Sequence, residues 1–68
     1  MIDPVSIGKK IKHLRESLGM SRESFCTNVG ITLSALSMYE NGQRVPRDEI
    51  KVKIARTLKT TVEALFFT

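Results

Sequence analysis

A chain of 68 residues has room for one domain with one modest core, and 41% hydrophobic against 26% charged residues is a globular balance that excludes intrinsic disorder. Eleven Lys and Arg against seven Asp and Glu leave a net charge of +4, which suits a polyanionic partner without requiring one. The single cysteine, Cys26, excludes an internal disulfide and a cysteine-rich zinc site; no apolar run approaches membrane-spanning length and Met1-Ile2-Asp3-Pro4 does not open a secretory leader, so a cytoplasmic protein with no membrane partner is expected.

Ser6 is expected to cap a first helix, in which Ile7, Ile11, Leu14 and Leu18 recur at intervals of four, three and four and so share one stripe. Gly19 suits the left-handed residue that ends such a helix. Ser21 is the next cap, with Phe25 and Val29 at helical spacing and Gly30 as the stop, which gives a short second helix from about Ser21 to Val29. Only Gly30 and Ile31 separate it from Thr32, the cap of a third helix reaching about Glu40, so the chain must turn sharply there. Asn41-Gly42 breaks the third helix by its turn chemistry. Pro46 is expected in the first turn of a fourth helix, where Asp48 and Glu49 favour the N-terminus and Ile50, Ile54 and Leu58 form the buried stripe. Thr60 or Thr61 caps a short final helix carrying Val62, Leu65 and Phe66. No alternating pattern suggests a strand. The expected fold class is all-α, with five helices in a single domain over residues 1–68.

Two short capped helices joined through a glycine, in a basic chain, suggest a DNA-binding helix-turn-helix, although an ordinary helical hairpin shows the same pattern. At about 100° per residue, Leu33, Ser34, Ser37 and Met38 share one face of the third helix, while Leu36 and Tyr39 point away from it toward a core.

Three stretches make the pattern specific: Met20-Ser21-Arg22-Glu23-Ser24-Phe25-Cys26, then Val29-Gly30-Ile31-Thr32, then Leu36-Ser37-Met38-Tyr39-Glu40-Asn41-Gly42. Together they resemble the phage-repressor (Xre/Cro-cI) helix-turn-helix family. Ile7-Gly8-Lys9-Lys10-Ile11 through Leu14-Arg15 looks like the family's opening, and Ile54-Ala55-Arg56-Thr57-Leu58 with Val62-Glu63-Ala64-Leu65-Phe66 like its close. The resemblance covers nearly the whole chain, and Glu40-Asn41-Gly42 at its distance from Gly30 is the most diagnostic part. It implies a compact, lambda-repressor-like domain that binds double-stranded DNA as a repressor-type transcription regulator, bacterial or phage-encoded and associated with the nucleoid.

The same resemblance implies roles for individual residues. The third helix would read bases through Leu33, Ser34, Ser37 and Met38, with Ala35 beside them. None of these is the Arg, Gln or Asn that pairs best with a base edge, so DNA shape and flanking contacts are expected to carry much of the specificity. Arg22, standing where the family usually has Gln, would clamp phosphate at a helix N-terminus. Thr32, Asn41 and Arg44 match positions that touch the sugar–phosphate backbone, and Arg47 would reach a narrowed minor groove. Arg15 and Glu40 match a family ion pair linking the first helix to the end of the third. The family often has apolar residues at the places of Asp48 and Lys51, which leaves the register of the fourth helix open and puts Val52 outside the core. Cys26 stands where a small core residue is usual and is expected to be a buried, unreactive thiol.

His13 stands alone and is read as a surface side chain; there is no nucleophile–base arrangement and no phosphate-binding loop, so no enzyme, metal, cofactor or small-molecule ligand is expected. One short recognition helix covers too few base pairs to find an operator, so a homodimer on a palindrome is expected, with Val52, Phe66 and Phe67 as interface candidates. The competing reading is a protein-interaction module that kept the fold and lost DNA, which the apolar face of the third helix favours. A further possibility is the excised DNA-binding module of a larger regulator.

Overall fold

The computed structural model describes residues 3–67. They form five helices in chain order: α1 (Pro4–Ser17), α2 (Arg22–Val29), α3 (Leu33–Glu40), α4 (Asp48–Thr57) and α5 (Val62–Phe66), with no strand among the described residues. The all-α, five-helix expectation therefore holds.

Local chemistry sets the helix starts. Ser21, Thr32 and Thr61 each hold an extended backbone, and each side-chain oxygen accepts the N–H three residues on, at 3.0 Å. At α1 the expectation fails: Asp3, not Ser6, is the cap. Its Oδ1 accepts the Ser6 N–H at 2.7 Å, and Pro4 takes the first turn, where its missing N–H costs nothing. That bond holds the Asp3 carboxyl below the usual carboxylate value. The charged cap is therefore fully present above the ordinary value and is lost as pH falls through the lowered one.

Pro46 is also displaced from its expected place. It does not open α4 but lies two positions ahead of it, buried in an extended link, and Arg47 with ψ 166° serves as an N-cap without a side-chain bond. Asp48 and Glu49 occupy the first turn as expected. The helix ends are uniform. At α1, α2, α3 and α4 the chain leaves through a left-handed residue, followed by an N–H that reaches back five positions to a carbonyl. Glycine serves three of these turns, and Lys59, at φ +58°, the fourth.

Packing closes a ring. The principal contacts join α1 to α3, α3 to α2, α2 to α4, α4 to α5 and α5 back to α1. At its centre every helix contributes a side chain with 1% exposure or less: Ile11, Phe25 with Val29, Leu36, Ile54 and Leu65. Leu14, Ile50 and Val62 pack partly against this core, whereas Leu18 ends the expected first stripe outside it, exposed at the helix C-terminus.

The α1–α3 crossing is unusually close at Gly8. A Cβ there would lie 2.4 Å from the Tyr39 carbonyl oxygen and 2.5 Å from that of Glu40, and a backbone carbonyl cannot swing aside as a flexible side chain can. Gly8→Ala is expected to lower stability by about 3 kcal/mol, the upper end of ordinary overpacking costs, measured by urea denaturation. A loss below about 1 kcal/mol would show that α1 slides on α3 at little cost.

Candidate nucleic-acid interface

The turn between α2 and α3 is built from backbone. Gly30, at φ +85° and ψ 39°, reverses the chain, and the Cys26 carbonyl accepts N–H bonds from both Gly30 (2.7 Å) and Ile31 (3.1 Å). Thr32 then caps α3. The Cys26 thiol, buried beneath the turn, donates to the Thr32 carbonyl at 3.5 Å, and burial pushes its pKa up. A protonated, covered thiol is a packing group rather than a nucleophile.

Those contacts fix which side of α3 looks outward. Leu36 and Tyr39 point into the core, as expected from helical spacing. On the opposite side Leu33 and Ser34 are exposed and Ser37 and Met38 half-buried, while Ala35 sits beside Tyr39 at the margin, half-buried and packed partly against the core. The five residues expected to face bases thus lie along a surface that is open at the start of α3 and shallower toward its end.

A buried carboxylate holds the end of α3. Glu40, its side chain 4% exposed, accepts from Arg15 Nε at Oε2 (2.8 Å) and from Arg22 Nη1 at Oε1 (3.2 Å). Arg15 is itself buried and also donates to the Met20 carbonyl at 3.0 Å. The Arg15–Glu40 pair is present, and it ties α1 to α3. The second arginine was not foreseen. Arg22, expected to clamp phosphate at the start of α2, shares its charge with Glu40, and its Nη2 donates to Ser37 Oγ on the outward side of α3. No local signal reveals this, since the partners stand 15 and 18 positions away.

Thr32, Arg44 and Arg47 come together beside the N-terminus of α3. With Ala35, Tyr39 and Ile50 they line an open cleft of about 360 Å³. Arg47 is exposed and only loosely near Glu49, at 4.0 Å. Backbone N–H groups at the helix start and two guanidinium groups make this cleft attractive to an anion. Asn41 is the exposed C-cap of α3, its N–H given to the Ser37 carbonyl. A second open cleft, of about 400 Å³ and lined in part by Leu18, Met20 and Asn28, contains none of these residues.

Phe66, expected at a dimer interface, is 2% exposed and belongs to the core. Val52 and Phe67 remain exposed, at 44% and 59%. The register left open for α4 is settled by Lys51. Its stem is largely covered, and its Nζ lies 5.5 Å from the Phe66 ring centre, 5.3 Å from that of Phe67 and 3.6 Å from Asp48 Oδ1. A long, amphipathic lysine thus fills a place where an apolar residue was anticipated. Among the described residues no His, Cys, Asp and Glu cluster could hold a metal, and no helix is long and apolar enough to cross a membrane.

A capped α2, a glycine turn and an outward-facing α3 on a five-helix ring define a helix-turn-helix domain of the repressor type. Residues 11–65 match the Helix-turn-helix family, and the chain belongs to that family. It is 31% identical over 62 residues to Repressor protein C of Escherichia phage P2, an alignment spanning 91% of this chain and 63% of that protein. The curated relatives it matches are longer, and the chain spans 37% to 63% of their length. Among solved structures, the restriction-modification controller protein C.AhdI of Aeromonas hydrophila superposes with a TM-score of 0.84 at 29% identity, covering 91% of this chain and 94% of that one. The P22 c2 repressor, solved with a synthetic operator, gives 0.86 at 21% identity over 90% and 92%, a likeness of fold.

Removing Glu40 strands the buried Arg15 charge, whereas removing Arg22, whose side chain is 40% exposed, strands nothing fully buried. Glu40→Ala is expected to cost about 3–5 kcal/mol and Arg22→Ala about 1 kcal/mol or less in urea denaturation. Equal losses would show that the two arginines support the carboxylate alike.

Proposed function

We propose that this chain is a sequence-specific double-stranded DNA-binding protein that represses transcription as a homodimer on a palindromic operator, with α3 in the major groove. The observation that carries the reading is the junction of two surfaces. The outward face of α3, with Leu33, Ser34, Ala35, Ser37 and Met38, meets the cleft of Thr32, Arg44 and Arg47. Anionic backbone seated in that cleft lies directly beside whatever the outward face touches. Phosphate contacts there would set register, with Asn41 contributing from the other end of α3, while the helix face meets the bases. The apolar side chains suit thymine methyls and the serine hydroxyls suit polar base atoms. The kinship with a phage repressor and a restriction-modification controller supports the regulatory sense of the binding.

The homodimer rests on coverage. An eight-residue recognition helix spans only a few base pairs, and a two-fold pair reads two half-sites about one helical turn apart. Val52 and Phe67 are the apolar side chains left for such a contact once Phe66 is assigned to the core. A single domain over residues 1–68 is sufficient for the binding proposed.

Selection of bound fragments from random DNA, followed by titration at several salt concentrations, tests the DNA reading. Arg44→Ala and Arg47→Ala are each expected to weaken binding evenly across sequences and to reduce the slope of log affinity against log salt by about 1. Binding that barely responds to salt would transfer the α3 face to a protein partner. Phe67→Asp is expected to shift sedimentation toward monomer and to weaken a two-half-site duplex at least tenfold, a loss of about 1.4 kcal/mol, while leaving the melting temperature within a few degrees. Unchanged sedimentation would remove this face from the dimer.

A further inference from the structure

The outward face of α3 lacks the side chains that read base edges in pairs. From Leu33 to Glu40 there is no Arg, Gln or Asn. The structure supplies one from outside the helix. Arg22, the first residue of α2, lays its guanidinium against Ser37 Oγ, in the row of residues that faces outward from α3. We propose that Arg22 is the base-reading arginine of this surface and that its partner is guanine, an assignment that rests on the DNA-binding function proposed above.

The geometry of the guanidinium carries the argument. It has two edges with parallel donors: one formed by Nη1 and Nη2, the other by Nε and Nη2. Glu40 Oε1 takes a donor of Nη1 and Ser37 Oγ takes a donor of Nη2, so each of these nitrogens spends one N–H inside the protein and keeps one. Among the described residues Nε–H has no partner. With Ser37 on the Nη1-facing hydrogen of Nη2, the donors left on Nε and Nη2 are parallel and match the O6 and N7 acceptors of guanine in the major groove. The side chain is 40% exposed, so part of it is open to a ligand, and the Glu40 carboxylate that anchors it is 4% exposed.

The anchoring also explains why Arg22 can do this from a neighbouring helix. A free arginine loses much rotamer freedom when it docks, whereas one already held at two atoms has lost part of it beforehand. Two arginines sharing one carboxylate keep a net positive charge, so the pairing with Glu40 does not silence the site. A phosphate can use the same two donors. The contact with Ser37 separates the two partners, because it draws the group in from the end of α2 onto the face that meets the bases.

Arg22→Lys keeps the charge and removes the paired donors, and it is the variant to test. With the wild-type chain, the selected site is expected to contain a guanine whose replacement by adenine, or by 7-deazaguanine, weakens binding about 10- to 100-fold. In Arg22→Lys that preference is expected to vanish while preferences at other positions and the salt slope persist. Ser37→Ala, which loosens the guanidinium without touching Glu40, is expected to weaken the same preference partly, and melting temperatures confirm that both variants are folded. A guanine preference unchanged in Arg22→Lys, with affinity falling equally for every sequence, would overturn the assignment in favour of a phosphate contact and leave DNA binding standing. Failure of the wild-type chain to enrich any sequence would overturn the DNA-binding function and this assignment together.

Discussion

Two guanidinium groups converge on one carboxylate that water barely reaches. Taking Glu40 and Arg15 out of water costs several kcal/mol for each ion, and only close, well-directed hydrogen bonds recover it. Both oxygens of Glu40 are used, and Arg15 spends a further donor on the Met20 carbonyl at the exit of α1. Hydrophobic residues of similar size would hold the helices together at least as firmly. What they would not supply is direction. The ion triad meets α3 at its last residue, receives α1 near its end and α2 at its beginning, and so fixes the rotation of α3 about its own axis. The Gly8 crossing adds a second restraint on the same segment, since α1 rests on the carbonyls of Tyr39 and Glu40.

Much of this molecule is visible in its sequence because much of it is local. Ser21, Thr32 and Thr61 announce themselves since each caps through a bond to its own third neighbour, and Gly30 announces the turn since few other residues accept its backbone angles. Where two local readings compete, the sequence does not choose. Asp3 and Ser6 are both good caps, and the turn beginning with Pro4 goes to the former. Pro46 could open a helix or precede one, and the answer depends on the burial of its ring, a tertiary matter. Lys51 leaves the register of α4 open until Phe66 and Phe67 are placed beside it.

The candidate interface divides the same way. The outward face of α3 follows from helical angles alone, and Arg15 with Glu40 was accessible through family resemblance. The partners of Arg22 are not encoded by spacing, because α2 and α3 bring them together only after the turn has formed. An arginine in place of the usual glutamine looks like a simple gain of charge. In the folded chain it is a strut between a buried acid and a half-buried serine.

The closed order of helix contacts has a consequence for how the chain acquires its shape. Its last interface joins the first helix to the fifth, and Lys10 Nζ reaches the Ala64 carbonyl across 54 positions of sequence. Contacts so distant in sequence are slow to form, because the entropy of closing a long loop precedes any reward. Until α5 arrives, α1 lacks one of its two principal helix contacts, and α1 is the helix that carries Arg15 to Glu40. During synthesis the α1–α5 interface therefore closes only after the final helix has left the ribosome. A polypeptide released early would possess every side chain of the recognition surface and leave one flank of α1 uncovered.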